Sequence, residues 1–294
     1  MQAPCPNYLN QVWKGFEVPE GPEIKRLATR LNKVLTNQPL EELRFSYRDL
    51  DRFDDELRVQ KITNVDSRGK ALLVFFESGL TLYSHNQLYG KWLIVRKGKK
   101  PKTNRTQRLV ISTSRHSAFL YSASNIELLE PEDLELHPYL AKLGPDALAE
   151  ETKWTQVYQQ LTSSKFEGRS LGSLLLDQHF VGGIGNYLRS EILYVSRLNP
   201  SDRPKDLPAK QKRTLSEEVL RVTEQAFLTA GVTNDLSRVS RLKELGLSRS
   251  KYRFAVFART GLPCYECGEK IIRSETNGRR LYSCPVCQPS VRTG

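Results

Sequence analysis

Two pairs of cysteines near the end of the chain are the residues whose types and spacing point most directly to chemistry. Cys264 and Cys267 form one C-x2-C knuckle and Cys284 and Cys287 the other, with sixteen residues between the pairs. Four thiolates from two tight knuckles can surround one tetrahedral zinc, and a closed four-sulfur shell leaves no open position for a substrate. The expected cofactor is therefore a single structural Zn2+, with disulfide pairing as the alternative that a reducing compartment disfavours. A second cluster is the run VPEGPEI, residues 18–24, where a proline and two carboxylates precede an apolar stripe. From residue types alone, Pro22 starts a helix and the glutamates complement its N-terminus. A third is VGGIGNY, residues 181–187. Its glycines let backbone come close to a ligand, and the helix that follows aims its N-terminal amides at the same place. Phosphate is the natural guest of such a turn; a tight helix–helix corner without a ligand is the plainer alternative.

The rest of the chain must position these groups. It has 294 residues, enough for about two domains, and 45 basic against 33 acidic side chains leave a net charge of +12. With a pI near 9.5, a polyanionic partner is expected. Mean hydropathy is −0.50, and no apolar run approaches the roughly 20 residues of a spanning helix, so no membrane association is expected. The first 18 residues lack a basic start followed by an apolar core, which fits neither a secretory signal nor a transit peptide and makes the cytoplasm the default compartment.

Ile24, Leu27, Leu31, Val34 and Leu35 recur at helical spacing and predict a helix from Pro22 to near Asn37. Between Leu57 and Leu129 the pattern turns to short β-rich runs, KITNV, ALLVFFE, LTLYSH, KWLIV, RLVIST and AFLYSAS, which predict a mostly antiparallel sheet or sandwich. KGKKPKTNR, residues 97–105, reads as a solvated loop, with phosphate contact as the lesser alternative. After residue 152 helical periodicity dominates to about residue 246, with SLLLDQHF predicted as a helix entering the glycine turn and LRSEILYVSRL as the helix leaving it. No repeat of 20 to 50 residues is present.

Several motifs occur together in one order: PEGPEI at 19–24, SRGKALL at 67–73, SHNQLYG at 84–90, LLLDQ followed by GGIGNY up to residue 187, and the four-cysteine finger. In this the chain resembles the endonuclease VIII branch, the oxidised-pyrimidine branch, of the bacterial formamidopyrimidine-DNA glycosylase family, over nearly everything from Pro19 to Gln288. The resemblance implies an α+β multidomain fold. Residues 19–144 would form an N-terminal catalytic β-sandwich with flanking helices, 145–152 a hinge, 153–252 a helix-two-turn-helix domain and 253–294 a zinc finger. It further implies a bacterial, nucleoid-associated protein that binds double-stranded DNA containing oxidised bases or abasic sites; a monomer is the default expectation.

The same resemblance assigns roles. Pro19 matches the nucleophile whose secondary amine attacks C1′, releases the base and leaves an iminium that acidifies the C2′ proton. Glu20 matches the acid that protonates the sugar ring oxygen. Lys70 matches the proton donor and phosphate ligand of β-elimination, and Arg279 its counterpart in δ-elimination; read without the resemblance, one is a turn lysine and the other a solvated hairpin residue. Gln87, Leu88 and Tyr89 match a loop that fills the gap left by a flipped nucleotide, Leu88 as apolar wedge, Tyr89 stacking and Gln87 hydrogen-bonding near the orphaned base. Asn186 matches a phosphate-binding asparagine. Lys142 stands where the pattern has arginine, which keeps the charge and loses the bidentate fork.

Pro19 is internal in this sequence. Its nitrogen is a tertiary amide and cannot form an iminium, so residues 1–18 are expected to be absent from the active protein. Val18 would then be a misread start codon whose Met is trimmed, or the leader would be removed by processing. Two other readings stay open, an oxidised-purine glycosylase and a non-catalytic damaged-DNA-binding protein if Pro19 remains blocked.

Overall fold

The structure, a computed structural model, describes residues 18–291. The expected leader, apart from Val18, and the last three residues of the expected finger lie outside the described residues.

A sandwich of two sheets makes the first half. In chain order its elements are α1 (Gly21–Leu35), β1 (Glu42–Phe45), α2 (Asp54–Arg58), β2 (Ile62–Arg68), β3 (Ala71–Phe76), β4 (Thr81–His85), β5 (Lys91–Arg96), β6 (Gln107–Ser112), β7 (His116–Tyr121), β8 (Asn125–Leu129) and α3 (Pro131–Leu134). The strands pair antiparallel in two four-stranded sheets, ordered β1-β6-β7-β5 and β2-β3-β4-β8. The six predicted runs are β2 to β7, and the structure adds β1 and β8 at the sheet edges. α1 lays Ile24, Ala28, Leu31 and Leu35 into the core that the sheets share with Leu43, Leu72, Leu82, Leu109 and Ile111. The same helix reaches the second half, where Arg26 Nη1 donates to the Phe227 carbonyl at 2.8 Å.

The second half contains α4 (Trp154–Thr162), α5 (Leu171–Leu174), α6 (Asn186–Val195), α7 (Ala209–Leu228), α8 (Leu236–Glu244), α9 (Arg249–Tyr252) and a hairpin of β9 (Ile272–Thr276) and β10 (Arg279–Ser283). The hairpin turns at Asn277 and Gly278, both with positive φ, as a two-residue loop matched to strand twist requires. The predicted helix SLLLDQHF is corrected: α5 ends at Leu174. Beyond it, Asp177 accepts from the His179 N–H at 2.9 Å and from Arg169 at 2.6 Å, while the Gln178 amide donates to the Ile184 carbonyl at 2.8 Å. Side chains that bond nearby backbone compete with helix continuation, so the chain goes on as turns.

Residues 144–147, at the start of the expected hinge, are tied on both sides. Gly144 N–H donates to the Gln178 carbonyl, Ala147 N–H to the Gly182 carbonyl and Gly182 N–H to the Pro145 carbonyl. The Asp146 carboxyl accepts from the Gly69 N–H, in the β2–β3 turn, at 2.6 Å. Among the described residues no helix is long and apolar enough to cross a membrane.

α6 is buried from Tyr187 to Tyr194, charged residues included. A helix enclosed on all sides is expected to be apolar all round, yet Arg189 and Glu191 are both fully buried. The Glu191 carboxyl accepts from Thr233 Oγ1 at 2.7 Å and from the N–H groups of Ala255, Val256 and Phe257, each at 2.8 Å. It therefore holds the segment of chain that leads into the first cysteine knuckle. Glu191→Ala would orphan four buried donors and is expected to destabilise the protein by about 3 kcal/mol. In calorimetry its Tm should fall by several degrees, whereas that of Leu228→Ala, at an exposed position of α7, should barely change.

Candidate active site

Glu20 stands immediately before α1, and its side chain leaves that helix for the N-terminus of another. One carboxyl oxygen accepts from the N–H of Tyr187 at 2.8 Å, the other from Gly185 at 2.8 Å and Leu188 at 3.3 Å. The first turn of α6 is thus closed by an acid from a distant part of the chain, satisfying amides that have no partner within their helix. Only glycine at residue 185 permits this, because a Cβ there would lie 2.3 Å from Glu20 Cδ. Likewise Gly21 donates its N–H to the Gly183 carbonyl at 2.8 Å, and a Cβ on Gly21 would meet Gly183 Cα at 2.9 Å. The glycine turn does bring an anion to the helix amides, as its composition predicts. That anion is the Glu20 carboxyl, so phosphate does not sit on the amides of residues 185, 187 and 188.

Glu20 is 4% exposed. Burial, with Glu23 as a like charge nearby, outweighs Lys70 and the amide donors and pushes its carboxyl up to about 7. That rise amounts to roughly 3 kcal/mol in favour of the protonated form, so near neutral pH the group can carry a proton to a reacting atom. Glu23 supports it from one turn along. Its carboxyl accepts from the Glu20 N–H at 3.1 Å and from Tyr187 Oη at 3.1 Å, and it lies 3.6 Å from Arg253.

Lys70 follows Gly69, which has φ +59 in the tight turn between β2 and β3. The turn is fixed by Tyr139 Oη, which accepts from the Lys70 N–H at 3.0 Å, and by Asp146. Burial, with a contribution from the Arg279 charge, lowers the Lys70 ammonium below its ordinary range, while Glu20 and Glu23 pull it upward. Glu20, Lys70 and Arg279, far apart in sequence, therefore share one electrostatic environment. Arg279 begins β10 and is exposed.

Arg189 joins these parts and was not singled out from the sequence. Its Nη1 donates to the Gly172 carbonyl at 2.7 Å; its Nη2 donates to Asn186 Oδ1 at 2.7 Å and to the Arg280 carbonyl at 3.1 Å. It orients the Asn186 amide and clips the finger hairpin to α6. An arginine and a glutamate two residues apart inside the apolar run NYLRSEILYV are the signal that could have revealed it. Asn186 itself is half-buried at the first turn.

The loop of Gln87, Leu88 and Tyr89 projects from the sandwich, with Leu88 61% and Tyr89 68% exposed. Gln87 takes a positive φ of 48°. Its Oε1 accepts from Ser124 Oγ at 2.7 Å, and Arg105, from the basic 97–105 segment, donates to the Tyr89 carbonyl. The Gln87 N–H donates to His85 Nδ1 at 3.2 Å. Burial and the neighbouring Lys70 charge push His85 down to about 4, which keeps it a neutral acceptor. Lys142 is exposed just before the linker. Pro19 is half-buried beside Glu20.

The four cysteines converge as well. Sulfurs around a tetrahedral zinc at about 2.3 Å lie about 3.8 Å apart. Here Cys264 and Cys287 Sγ are 3.8 Å apart, Cys267 and Cys284 Sγ 3.4 Å, and all four lie within 4.8 Å of one another. Tyr194 Oη lies 3.3 Å from Cys264 Sγ, and the Cys287 N–H points at Cys284 Sγ at 3.4 Å, the polar support that metal-bound thiolates require. The donor set fits a metal ion closed on all sides.

Comparison with known proteins agrees with this geometry. Residues 18–123 match the family model described as formamidopyrimidine-DNA glycosylase N-terminal domain, and residues 143–237 match the formamidopyrimidine-DNA glycosylase H2TH domain. Endonuclease 8 of Escherichia coli O17:K52:H18 is 41% identical over 92% of this chain and 100% of its own length, and endonuclease 8 of Enterobacter sp. strain 638 is 42% identical over the same shares. Among solved structures, Lactococcus lactis formamidopyrimidine-DNA glycosylase bound non-covalently to abasic-site DNA superposes with a TM-score of 0.76 at 21% identity, covering 92% of this chain and all of that one. The chain belongs to the formamidopyrimidine-DNA glycosylase and endonuclease VIII family of DNA-repair glycosylases.

Proposed function

We propose that the chain is a bifunctional DNA glycosylase and abasic-site lyase that removes oxidised pyrimidines from duplex DNA and cuts the strand by β,δ-elimination. The observation that carries this reading is the Glu20 carboxyl, buried, held by three amides and raised to about 7 beside Lys70. Pro19, the adjacent residue, is the nucleophile once the residues before it are removed; the family match beginning at Val18 supports this boundary. Its neutral secondary amine attacks C1′ of the damaged nucleotide, and the glycosidic bond breaks with its electron pair leaving on the base. Glu20 gives its proton to the ring oxygen, so the sugar opens to an iminium. Loss of the C2′ proton then expels the 3′ phosphate, with Lys70 as proton donor, and Arg279 assists the second elimination.

Leu88 and Tyr89 fill the vacated stack, and Gln87 meets the orphaned base after giving up its Ser124 bond. Asn186, its oxygen engaged by Arg189, offers its Nδ2 hydrogens to a phosphate near the lesion, and Lys142 contributes a point charge to the backbone. Cys264, Cys267, Cys284 and Cys287 hold one structural zinc that keeps Arg279 in place. The domain limits follow: a sandwich of 19–144, a hinge of 145–152, a helical domain of 153–252 and a finger from 253, working as a cytoplasmic, nucleoid-associated monomer.

The amide at Pro19 favours a second reading, a damaged-DNA-binding protein without catalysis. The two separate when chains beginning at Met1 and at Pro19 are each mixed with duplex containing an oxidised pyrimidine and with borohydride. A covalent adduct from the Pro19 chain alone is expected; adducts of equal yield from both would refute the imino nucleophile, and none from either would favour the binder. Base release by the Pro19 chain should fall as pH rises through about 7, where Glu20 loses its proton. Cleavage of a preformed abasic site, whose sugar already opens, should lack that limb, and Glu20→Gln should cut base release at least 100-fold while sparing abasic-site cleavage. Elemental analysis should find one zinc per chain, and its removal by a thiol-reactive mercurial should weaken DNA binding at least tenfold.

A further inference from the structure

At the end of α1 away from Glu20, a cavity of about 320 Å³ opens between the helix and β5. Val34, Ile94 and Val95 give it an apolar floor, Arg30, Lys33 and Arg96 line it with positive charge, His116 at the start of β7 closes one end, and no acidic residue faces it. The three cations are exposed. None of them forms an ion pair among the described residues. At about 1.5 Å per residue, Lys33 lies about 20 Å along the helix from Glu20, so the cavity is not an extension of the catalytic cluster.

A second feature coincides with it. β5 is the last strand of its sheet and pairs with β7 alone. On its other side, no other described residue hydrogen-bonds the backbone of residues 92–95. Successive side chains of a strand face opposite ways, so a cavity lined by Ile94, Val95 and Arg96 in succession reaches both faces of β5, at the end of the strand where Arg96 pairs with His116. Open edges of this kind are ordinarily covered or interrupted.

The chemistry selects among occupants. An open cavity does not enclose most of a small ligand's surface, as small-molecule sites do. Duplex DNA would satisfy the cations but supplies nothing apolar for the floor and no strand for the edge. An extended peptide supplies all three: backbone for the edge, an apolar side chain for the floor and carboxylates for the cations. We propose that this groove docks an extended acidic segment of a partner protein, added as a fifth strand beside β5, with one apolar side chain against Val34 and Ile94 and its carboxylates on Arg30, Lys33 and Arg96.

The probe is a fluorescent hexapeptide of alternating aspartate and isoleucine, titrated into the full, zinc-loaded chain. Expected are saturable binding, at least tenfold weakening in the Lys33→Glu/Arg96→Glu double variant, and slowed amide exchange within residues 92–95. Both substituted positions are exposed and lie outside the proposed catalytic machinery, so base release, measured on chains beginning at Pro19, and damaged-duplex affinity should stay within twofold of the matching parent. Absence of binding, binding indifferent to the charge reversals, displacement of the peptide by damaged duplex, or a loss of DNA affinity in the double variant would each overturn the proposal. The last outcome would assign the groove to nucleic acid. Binding that appears only when residues 1–18 are deleted would assign it to the chain's own leader and overturn it equally.

Discussion

One contact fixes the relation between the two halves at the point where chemistry is expected: the Glu20 carboxyl on the first-turn amides of α6. It has two consequences that pull in opposite directions. Three N–H donors and a helix N-terminus favour the ionised form, whereas enclosure by both halves disfavours it, and enclosure wins. A solvated glutamate on the same amides would be a permanent anion and a helix cap, nothing more. Burial turns the cap into an acid that titrates near neutrality. Because the burial depends on α1 meeting the glycine turn, separation of the halves would both release the contact and return the carboxyl toward its ordinary range.

The second half is organised around α6, a helix whose polar residues work inward. Arg189 and Glu191 have no carboxylate–guanidinium partner in each other; each is spent mostly on backbone, with one side-chain partner apiece, Asn186 and Thr233. Arg189 bonds the Gly172 and Arg280 carbonyls and the Asn186 amide, and Glu191 bonds three consecutive N–H groups ahead of the first cysteine knuckle. Buried charges that satisfy main-chain groups cost much to desolvate and are destabilising to remove. What they give is position. Arg279 is exposed on a two-stranded hairpin, and the Arg189 clip on the neighbouring carbonyl, together with the four-sulfur cluster behind it, sets where that guanidinium can be.

Much of this was legible in the sequence because local chemistry expresses it. The knuckle spacing predicted a four-cysteine cluster and the alternating runs predicted β2 to β7, while the projecting Leu88 and Tyr89 were expected only through the family resemblance. β1 was not legible, since ELRF is four residues with a single buried leucine before its phenylalanine, too short for periodicity to stand out. The helix predicted over 173–180 failed for the reverse reason: its apolar residues have helical spacing, but Asp177 and Gln178 turn their side chains onto nearby backbone. The glycine turn shows the deeper limit. Its composition pointed to phosphate at a helix N-terminus, and nothing local could say that those amides are taken by a carboxyl from residue 20. Long-range pairs such as Glu20 with Tyr187, Gly69 with Asp146 or Arg189 with Arg280 exist only once both halves are folded.

The same contact bears on how an internal proline could become a nucleophile without remodelling the site. Everything that places residue 20 lies on its C-terminal side or in its own side chain: the three amide bonds, the Gly21 N–H on the Gly183 carbonyl, the Glu23 carboxyl on the Glu20 N–H, and the seating of Ile24 in the sandwich core. Pro19 is one peptide plane away from that anchor, so only rotation about its own Cα–C bond separates its nitrogen from the pinned backbone. Breaking the bond between Val18 and Pro19 would therefore change the nitrogen from an amide into a basic secondary amine while leaving its location determined by groups that the cut does not touch. A nucleophile placed by a flexible side chain would have to be held in its productive rotamer. One placed at the end of a backbone pinned at the very next residue has a single rotation left to settle, and under the proposed chemistry that economy would favour a chain terminus.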